Sequence, residues 1–295
     1  MPNLKDIRTR INSTVSTRQI TSAMKMVSAA KLRKTQDAII RMRPYVNKLQ
    51  EIMAEVTATV HDEVDISYIK PRPINKVLIV LITSNKGLCG AFNSNVSKRA
   101  LQHVTETYPD IEKNGNVHFY CIGNKGYDMI KNKNLKIVHH EDEILDALSY
   151  NKAAIFAEQL MNFFNANEYD KIEFFYNRFK NAAVQIITNE AFLPIVQLDT
   201  VSKKTEKYQK NYIFEPSEIE ILNEILPLSL KSQVYKILLD STTAEHGARM
   251  TAMHKATENA TEMLNDLTLT YNKARQAAIT KEILEIVSGA NALSE

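Results

Sequence analysis

Residues Ser241–Ala260 read STTAEHGARMTAMHKATENA, and the spacing of their small side chains decides the fold. Small or apolar residues recur every three or four positions at Ser241, Ala244, Ala248, Ala252, Ala256 and Ala260, and the series continues through Met263, Leu267, Thr270, Ala274 and Ala277. This is the period of one face of an α-helix. No proline occurs from Leu230 to Ala290, and no glycine between Gly247 and Gly289. A stripe made mostly of alanine lets a partner helix come close but buries little area, so the helix is expected to need a partner along its whole length. At 1.5 Å per residue about 60 residues would span roughly 90 Å, longer than the core of a compact domain. Such a helix must project or be enclosed.

Towards the N-terminus of this stretch, Glu215-Pro216-Ser217 reads as a helix start, with Pro216 suited to a first-turn position. Ile219, Leu222, Leu226, Leu230, Val234 and Ile237 begin its apolar stripe, and Pro227 is expected to bend it. Asp199–Tyr212 is polar and lysine-rich and reads as an exposed connector. Before it the period changes. Lys76–Thr83 is a continuous apolar, β-branched run, the pattern of a strand buried on both faces. Further strands are expected at Val117–Ile122, Leu135–His139, Lys171–Phe175 and Val184–Ile187, alternating with helices at Phe92–Thr107 and around Ala153, Phe156, Leu160 and Phe164. That alternation predicts an α/β domain with a mainly parallel sheet over about 75–200. Pro71 and Pro73 mark its boundary.

Residues 3 to about 60 read as another long helix. Leu4, Ile7, Ile11 and Val15 keep helical spacing; Ile20, Met24 and Val27 follow after a slip in phase; Leu32, Ile39, Met42, Val46, Leu49, Met53, Val56 and Val60 complete the stripe. Such a slip is expected to change the supercoil locally, and Pro44 to kink the helix. Residues 1–57 hold eleven Lys/Arg against four Asp/Glu, a net of +7, while the whole chain carries +3. The first helix is thus a basic rod, either simply solvated or facing acidic partners. Together these readings predict a mixed α+β and α/β fold: a long antiparallel coiled coil of the N-terminal helix (1–70) and C-terminal helix (206–295), with a central Rossmann-like α/β domain (71–205).

The chain has 295 residues, 44% hydrophobic and 24% charged, with only seven glycines, eight prolines and no tryptophan. This fits a soluble, helix-rich protein. A net charge of +3 is too small to imply nucleic acid. Cys89 and Cys121 are isolated and, without a signal sequence, are expected to be reduced thiols. Val77–Ile82 is far shorter than the ~20 apolar residues that span a bilayer.

Three places suggest chemistry. The strand–turn–helix Val77–Asn93 resembles a phosphate cradle, and Lys86-Gly87 resembles part of a P-loop, but neither G-x-x-x-x-G-K-[ST] nor G-x-G-x-x-G is present. A structural turn using Gly87 and Gly90 is the better reading. Cys89 has no base assigned to it by any sequence feature, so a buried thiol is the default. His139-His140 before Glu141-Asp142-Glu143 lacks tetrahedral metal spacing and reads as a solvated helix start. No catalytic, cofactor or metal residue is assigned.

Both ends of the chain carry a resemblance. Arg8-x-x-Ile11-x-Ser13-Thr14-x-x-Thr17-x-x-Ile20-Thr21-x-Ala23-Met24-x-Met26-Val27 resembles the start of the gamma subunit of F-type ATP synthase. Ala248-Arg249-Met250-x-Ala252-Met253 and Tyr271-Asn272-x-Ala274-Arg275-Gln276-x-x-Ile279-Thr280-x-Glu282-x-x-Glu285-Ile286-Val287-Ser288-Gly289-Ala290 resemble its end, and Ser84-x-x-Gly87-Leu88-Cys89-Gly90 its turn after the first strand. Asn85 stands where the family usually has Asp, and Phe214 where a second Tyr is common. Residues 195–215 contain no cysteine pair, so the redox insert of the chloroplast form is absent and the chain looks bacterial.

The resemblance implies a non-catalytic central rotor shaft coupling transmembrane proton flow to ATP synthesis or hydrolysis. Its partners would be three alpha and three beta subunits, an epsilon subunit and the c-subunit ring, with no nucleic acid, no cofactor and membrane contact only through partners. It would lie at the cytoplasmic face of the bacterial inner membrane as a peripheral protein. Carried over residue by residue, Met24, Arg249, Gln276, Thr280 and Glu282 would be shaft positions making or supporting contacts to beta. Arg8, Arg10, Arg18 and Lys25 would face acidic loops of the ring. Tyr212, Phe214 and Glu215 would lie in the foot near the c ring. Two other classes compete with this one: a tethering or nucleic-acid-binding coiled coil, and a small-molecule enzyme using the α/β domain.

Overall fold

The computed structural model describes residues 4–59, 68, 72–133, 135–195 and 218–293. Pro71, the Asp199–Tyr212 connector and the Glu215-Pro216-Ser217 helix start lie outside these residues. The elements run α1 (Leu4–Thr59), β1 (Val77–Ile82), α2 (Phe92–Thr107), α3 (Pro109–Lys113), β2 (Val117–Ile122), α4 (Asn124–Lys131), β3 (Lys136–Glu141), α5 (Glu143–Asp146), α6 (Tyr150–Asn165), β4 (Lys171–Phe179), β5 (Gln185–Leu193) and α7 (Glu218–Leu293). They form two compact units: Met1–Ser28 with Arg249–Glu295, and Ala29–Ala248.

The larger unit is built on a five-stranded sheet of order β3-β2-β1-β4-β5. β1 pairs in parallel with β2 and β4, and β2 with β3, while β5 returns antiparallel to β4. β4 thus continues the parallel sheet and β5 folds back on it as a hairpin, and each is longer than its apolar run suggests. The central strands VLIVLI and VHFYCI are buried at every position, as an apolar run with no polar alternation requires. One sheet face packs on α2 and α4 through Val96, Ala100, Val104 and Ile130. The other packs on α6 and on α7, through Leu226, Leu230, Val234, Ile237 and Leu238. Helix α7 is therefore part of the sheet's own core. From Ile237 to Ala244 all eight residues are buried, and the Thr242 and Thr243 hydroxyls are satisfied by the Leu238 and Leu239 carbonyls of their own helix. Gly247 suits the same packing, since a Cβ there would sit 3.2 Å from the Ala182 carbonyl oxygen of the β4–β5 turn.

Helix α1 differs from its sequence reading. One series along it, Leu4, Ile7, Ile11, Thr14, Arg18, Thr21, Lys25, Ser28, Leu32, Thr35, Ile39, Met42, Val46, Leu49 and Met53, is at least partly buried throughout, flanked by partly buried Val15, Ser22, Met24, Ala29, Ala38, Glu51 and Ile52. This is a regular alternation of three and four, the heptad of a coiled coil, with no slip in phase. The expected slip came from following apolar residues: Ile20 and Val27 are exposed, and polar Thr14, Arg18, Thr21, Lys25 and Ser28 occupy the seam instead. The stripe on α7 is corrected in the same way. Met253, Ala260 and Leu264 are buried, whereas Met263 and Thr270 are exposed. Pro44 and Pro227 both lie inside their helices.

In the smaller unit α1 and α7 run antiparallel. Thr14 Oγ1 lies 3.9 Å from Met263 Sδ, the Thr21 and Thr257 hydroxyls are 2.9 Å apart, and Lys25 Nζ donates to His254 Nδ1 at 3.2 Å. A buried Leu or Ile at such seam positions would each contribute about 1.5–3 kcal/mol. Five successive polar residues forgo most of that, so this helix pair is weakly held by its own contacts.

The turn after β2 fixes how the sheet meets its helices. Gly123 has φ +94°, and a Cβ there would lie 2.3 Å from the Thr83 carbonyl oxygen. Gly87, whose Cβ would meet nothing within 4 Å, serves as its control. Gly123→Ala is expected to lose on the order of 3 kcal/mol, from left-handed strain plus a backbone clash, and Gly87→Ala to stay within about 0.5 kcal/mol of the parent. Urea unfolding of the full chain measures both; equal losses would refute this account of the turn.

Candidate functional site

The sheet order places a topological switch point between β1 and β4, where open α/β sheets bind ligands beyond the carboxyl ends of their strands. Here that end is filled by its own side chains. The Ser84 amide donates to Asn93 Oδ1 at 2.9 Å, Ser84 Oγ bonds to the Lys86 carbonyl at 2.7 Å, and Asn93 Nδ2 donates to Ser84 Oγ and to Cys89 Sγ. From β4, Asn177 Nδ2 donates to the Phe92 carbonyl at 3.2 Å. Groups that would have to face a phosphate are turned on each other. Asn85, the departure from the family pattern, donates to the Asp142 carbonyl at 2.8 Å, a bond an ionised Asp could not make. Leu88, at the tip of this turn, has φ +64° and is 64% exposed. A bulky residue held in that conformation and facing solvent marks a candidate contact point.

Cys89 is buried in this network, and Cys121 is buried in the sheet, where desolvation pushes its thiol up to about 12. Burial of that kind works against an activated thiolate at Cys121. His139 and His140 lie on strand β3, not at a helix start. They stack on Tyr120 and Tyr127 at 5.3 and 4.4 Å, and among the described residues no His/Cys/Asp/Glu group could hold a metal ion.

The second candidate is the helix pair. Extending its register, Leu4 lies level with about residue 273. Beyond that, every residue of α7 from 275 to 289 is exposed. This overhang carries Ile279, Ile283, Leu284, Ile286 and Val287, all outward. It also carries Gln276, Thr280 and Glu282. Gln276 and Thr280 are one turn apart, with Thr280 Oγ1 on the Gln276 carbonyl at 2.9 Å. Glu282 lies about 200° round the helix from Thr280. Arg8 and Arg10 are both exposed and about 200° apart on α1, so they do not form one basic face. Arg18, Met24 and Lys25 are half-buried and Arg249 is buried. Tyr212, Phe214 and Glu215 lie outside the described residues.

What sequence reasoning passed over is apolar: the five side chains of the overhang, and Ile20, Met26 and Val27 on the outer side of α1. Their signal was present in the overhang. After Ala274 the apolar residues no longer keep to one face, as they must on a helix paired with one partner.

Comparison with known proteins is consistent along the chain. A family model described as ATP synthase matches residues 3–293. Proteins named ATP synthase gamma chain from Christiangramia forsetii and Flavobacterium johnsoniae are 52% and 54% identical, each over all of this chain and all of their own length. Among solved structures, a chain of the Tetrahymena thermophila mitochondrial ATP synthase central stalk and c-ring is 26% identical with a TM-score of 0.58, covering 80% of this chain and 99% of its own. A chain of the Euglena gracilis mitochondrial enzyme shares the fold at 21% identity, with a TM-score of 0.69 over 98% of this chain and 94% of its own. With a heptad-paired helix couple and a sheet whose ligand end is closed on itself, the chain belongs to the ATP synthase gamma chain family.

Proposed function

We propose that the chain is the central rotor shaft of an F-type ATP synthase, and that it does no chemistry itself. It couples transmembrane proton flow to ATP synthesis, or the reverse to hydrolysis, in a hexamer of three alpha and three beta subunits. The sheet unit with the start of α7 acts as the foot against the epsilon subunit and the c ring; the paired helices act as the shaft. The complex sits peripherally on the cytoplasmic face of the bacterial inner membrane, and no described helix of this chain is long and apolar enough to cross a membrane.

The observation that carries this reading is the overhang. A single helix with apolar side chains on several faces, exposed from 275 to 289, is incomplete in the isolated chain. Its complement must surround it, since one flat partner would leave the other faces bare. A sleeve formed by the upper ring of a catalytic hexamer meets that requirement. The weak polar seam below it agrees: a shaft held by its surroundings does not need a strong core of its own. Met24, Arg249, Gln276, Thr280 and Glu282 are then coupling positions, and Arg8, Arg10, Arg18 and Lys25 contacts to acidic loops.

The test replaces Ile283, Leu284 and Ile286 with Asn in one variant. These side chains are largely exposed, so its unfolding free energy should change by less than about 0.5 kcal/mol per site. Assembly with alpha and beta subunits, or proton pumping per ATP hydrolysed, should fall severalfold. Normal assembly and normal coupling would remove the overhang from the function.

Because the Ser84–Asn93 network uses up the polar groups of the switch-point turn, the isolated chain should neither bind nor hydrolyse ATP. Calorimetry with MgATP should show no heat of binding up to millimolar nucleotide. A micromolar dissociation constant that disappears in Lys86→Ala would sink the non-catalytic reading in favour of an enzyme.

A further inference from the structure

Asp240 lies in the middle of the fully buried stretch of α7 and is 1% exposed. Its Oδ1 accepts no hydrogen bond. Among the described residues the cation within ion-pair distance is Arg43 of α1, with Nη2 3.6 Å away and a side chain that is about half exposed. Other charged and titratable groups acting at this place are Lys236 on α7, Arg178 on β4 and Glu190 on β5. Glu190 is itself engaged by the Tyr176 hydroxyl at 2.7 Å and Gln233 Nε2 at 2.8 Å. Burial raises the Asp240 carboxyl above its ordinary value in spite of Arg43. The charge is thus held in an unfavourable place, and an apolar residue would pack there at less cost. Stability does not account for an Asp at this site.

Register does. In the larger unit the α1 seam is Leu32, Thr35, Ile39, Met42, Val46 and Leu49, so a slip of α1 by one heptad in one direction puts Ile39, Met42, Val46, Leu49 and Met53 in the places of Leu32, Thr35, Ile39, Met42 and Val46, apolar for apolar at all but one. The opposite slip would bring Val46 to the place of Met53, which packs against the sheet core, but also Lys25 to the place of Leu32, so the first direction is the one left open. Apolar packing of this kind discriminates poorly between neighbouring registers. The cation is different. A slip of seven puts Gln36 or Gln50 in the place of Arg43, and slips of three or four put Ile39, Ile40, Val46 or Asn47 there. In each the Asp240 carboxylate would lose its nearest cation. We propose that the Arg43–Asp240 pair is a register pin, which fixes the axial position of α1 against α7 and which the apolar seam does not provide. This rests on the two helices alone and holds whether or not the chain turns within a ring. It is the use of a single buried polar residue that sets register in coiled coils.

The experiment reads register directly, by the distance between spin labels on the full chain at Asp37→Cys and Glu224→Cys, both exposed sites. The native thiols are buried and need no replacement. The parent should give one distance, and Arg43→Lys should keep it. Arg43→Met with Asp240→Leu should fold with an equal or higher melting temperature and show a second distance, or a broad one. The decisive variant moves the cation by a heptad in the direction the apolar residues tolerate: Gln50→Arg with Arg43→Gln should lengthen the label distance by about 10 Å, seven residues at 1.5 Å each. If the moved-cation variant keeps the parent distance, or the apolar pair keeps one sharp unshifted distance, the pin does not exist and packing sets the register.

Discussion

The constraint on which the larger unit depends is the burial of α7 in the sheet's core. The sheet has two apolar faces, and α6 covers only part of the second; Leu226, Leu230, Val234, Ile237 and Leu238 cover the rest. A helix that is part of the core cannot turn about its own axis without exposing that stripe. Several side chains at about 1.5–3 kcal/mol each resist such a turn. Within the larger unit this stretch of helix is thereby fixed rotationally to the sheet. The close approach of Gly247 to Ala182 adds a steric stop that a larger side chain would not permit.

The sheet was legible in the sequence because its strands obey a simple rule. Strands buried on both faces are apolar throughout, and β1 and β2 are apolar or aromatic at nearly every position. His118 is the exception, and it is satisfied by the Tyr169 hydroxyl at 2.9 Å. The β4–β5 hairpin was less legible, because polar residues such as Asn177 and Glu190 lie within it and make specific bonds. The seam of α1 was misread for a related reason. Periodicity arguments follow hydrophobicity, and here hydrophobicity and burial part company: Thr21 and Ser28 are buried while Ile20 and Val27 are not.

The same divergence marks the candidate site. Of the positions carried over by resemblance, Gln276, Thr280 and Glu282 fall on the exposed overhang, whereas Arg249 is buried. Nothing in spacing separates these cases, because a motif records which residues occur together and not which way each one faces. Apolar residues on the outside of α1 and all round the end of α7 are what a single chain looks like when its remaining core belongs to other subunits.

That overhang has a consequence for the life of the protein before assembly. Five large aliphatic side chains within nine residues stay in water until a sleeve is present. The helix that bears them emerges from the ribosome after the sheet it is anchored in. A cell that makes this chain faster than its sleeve therefore accumulates molecules with a sticky free end, which chaperones or proteases must handle. Matched synthesis of the subunits is thus a requirement written into the last turns of one helix.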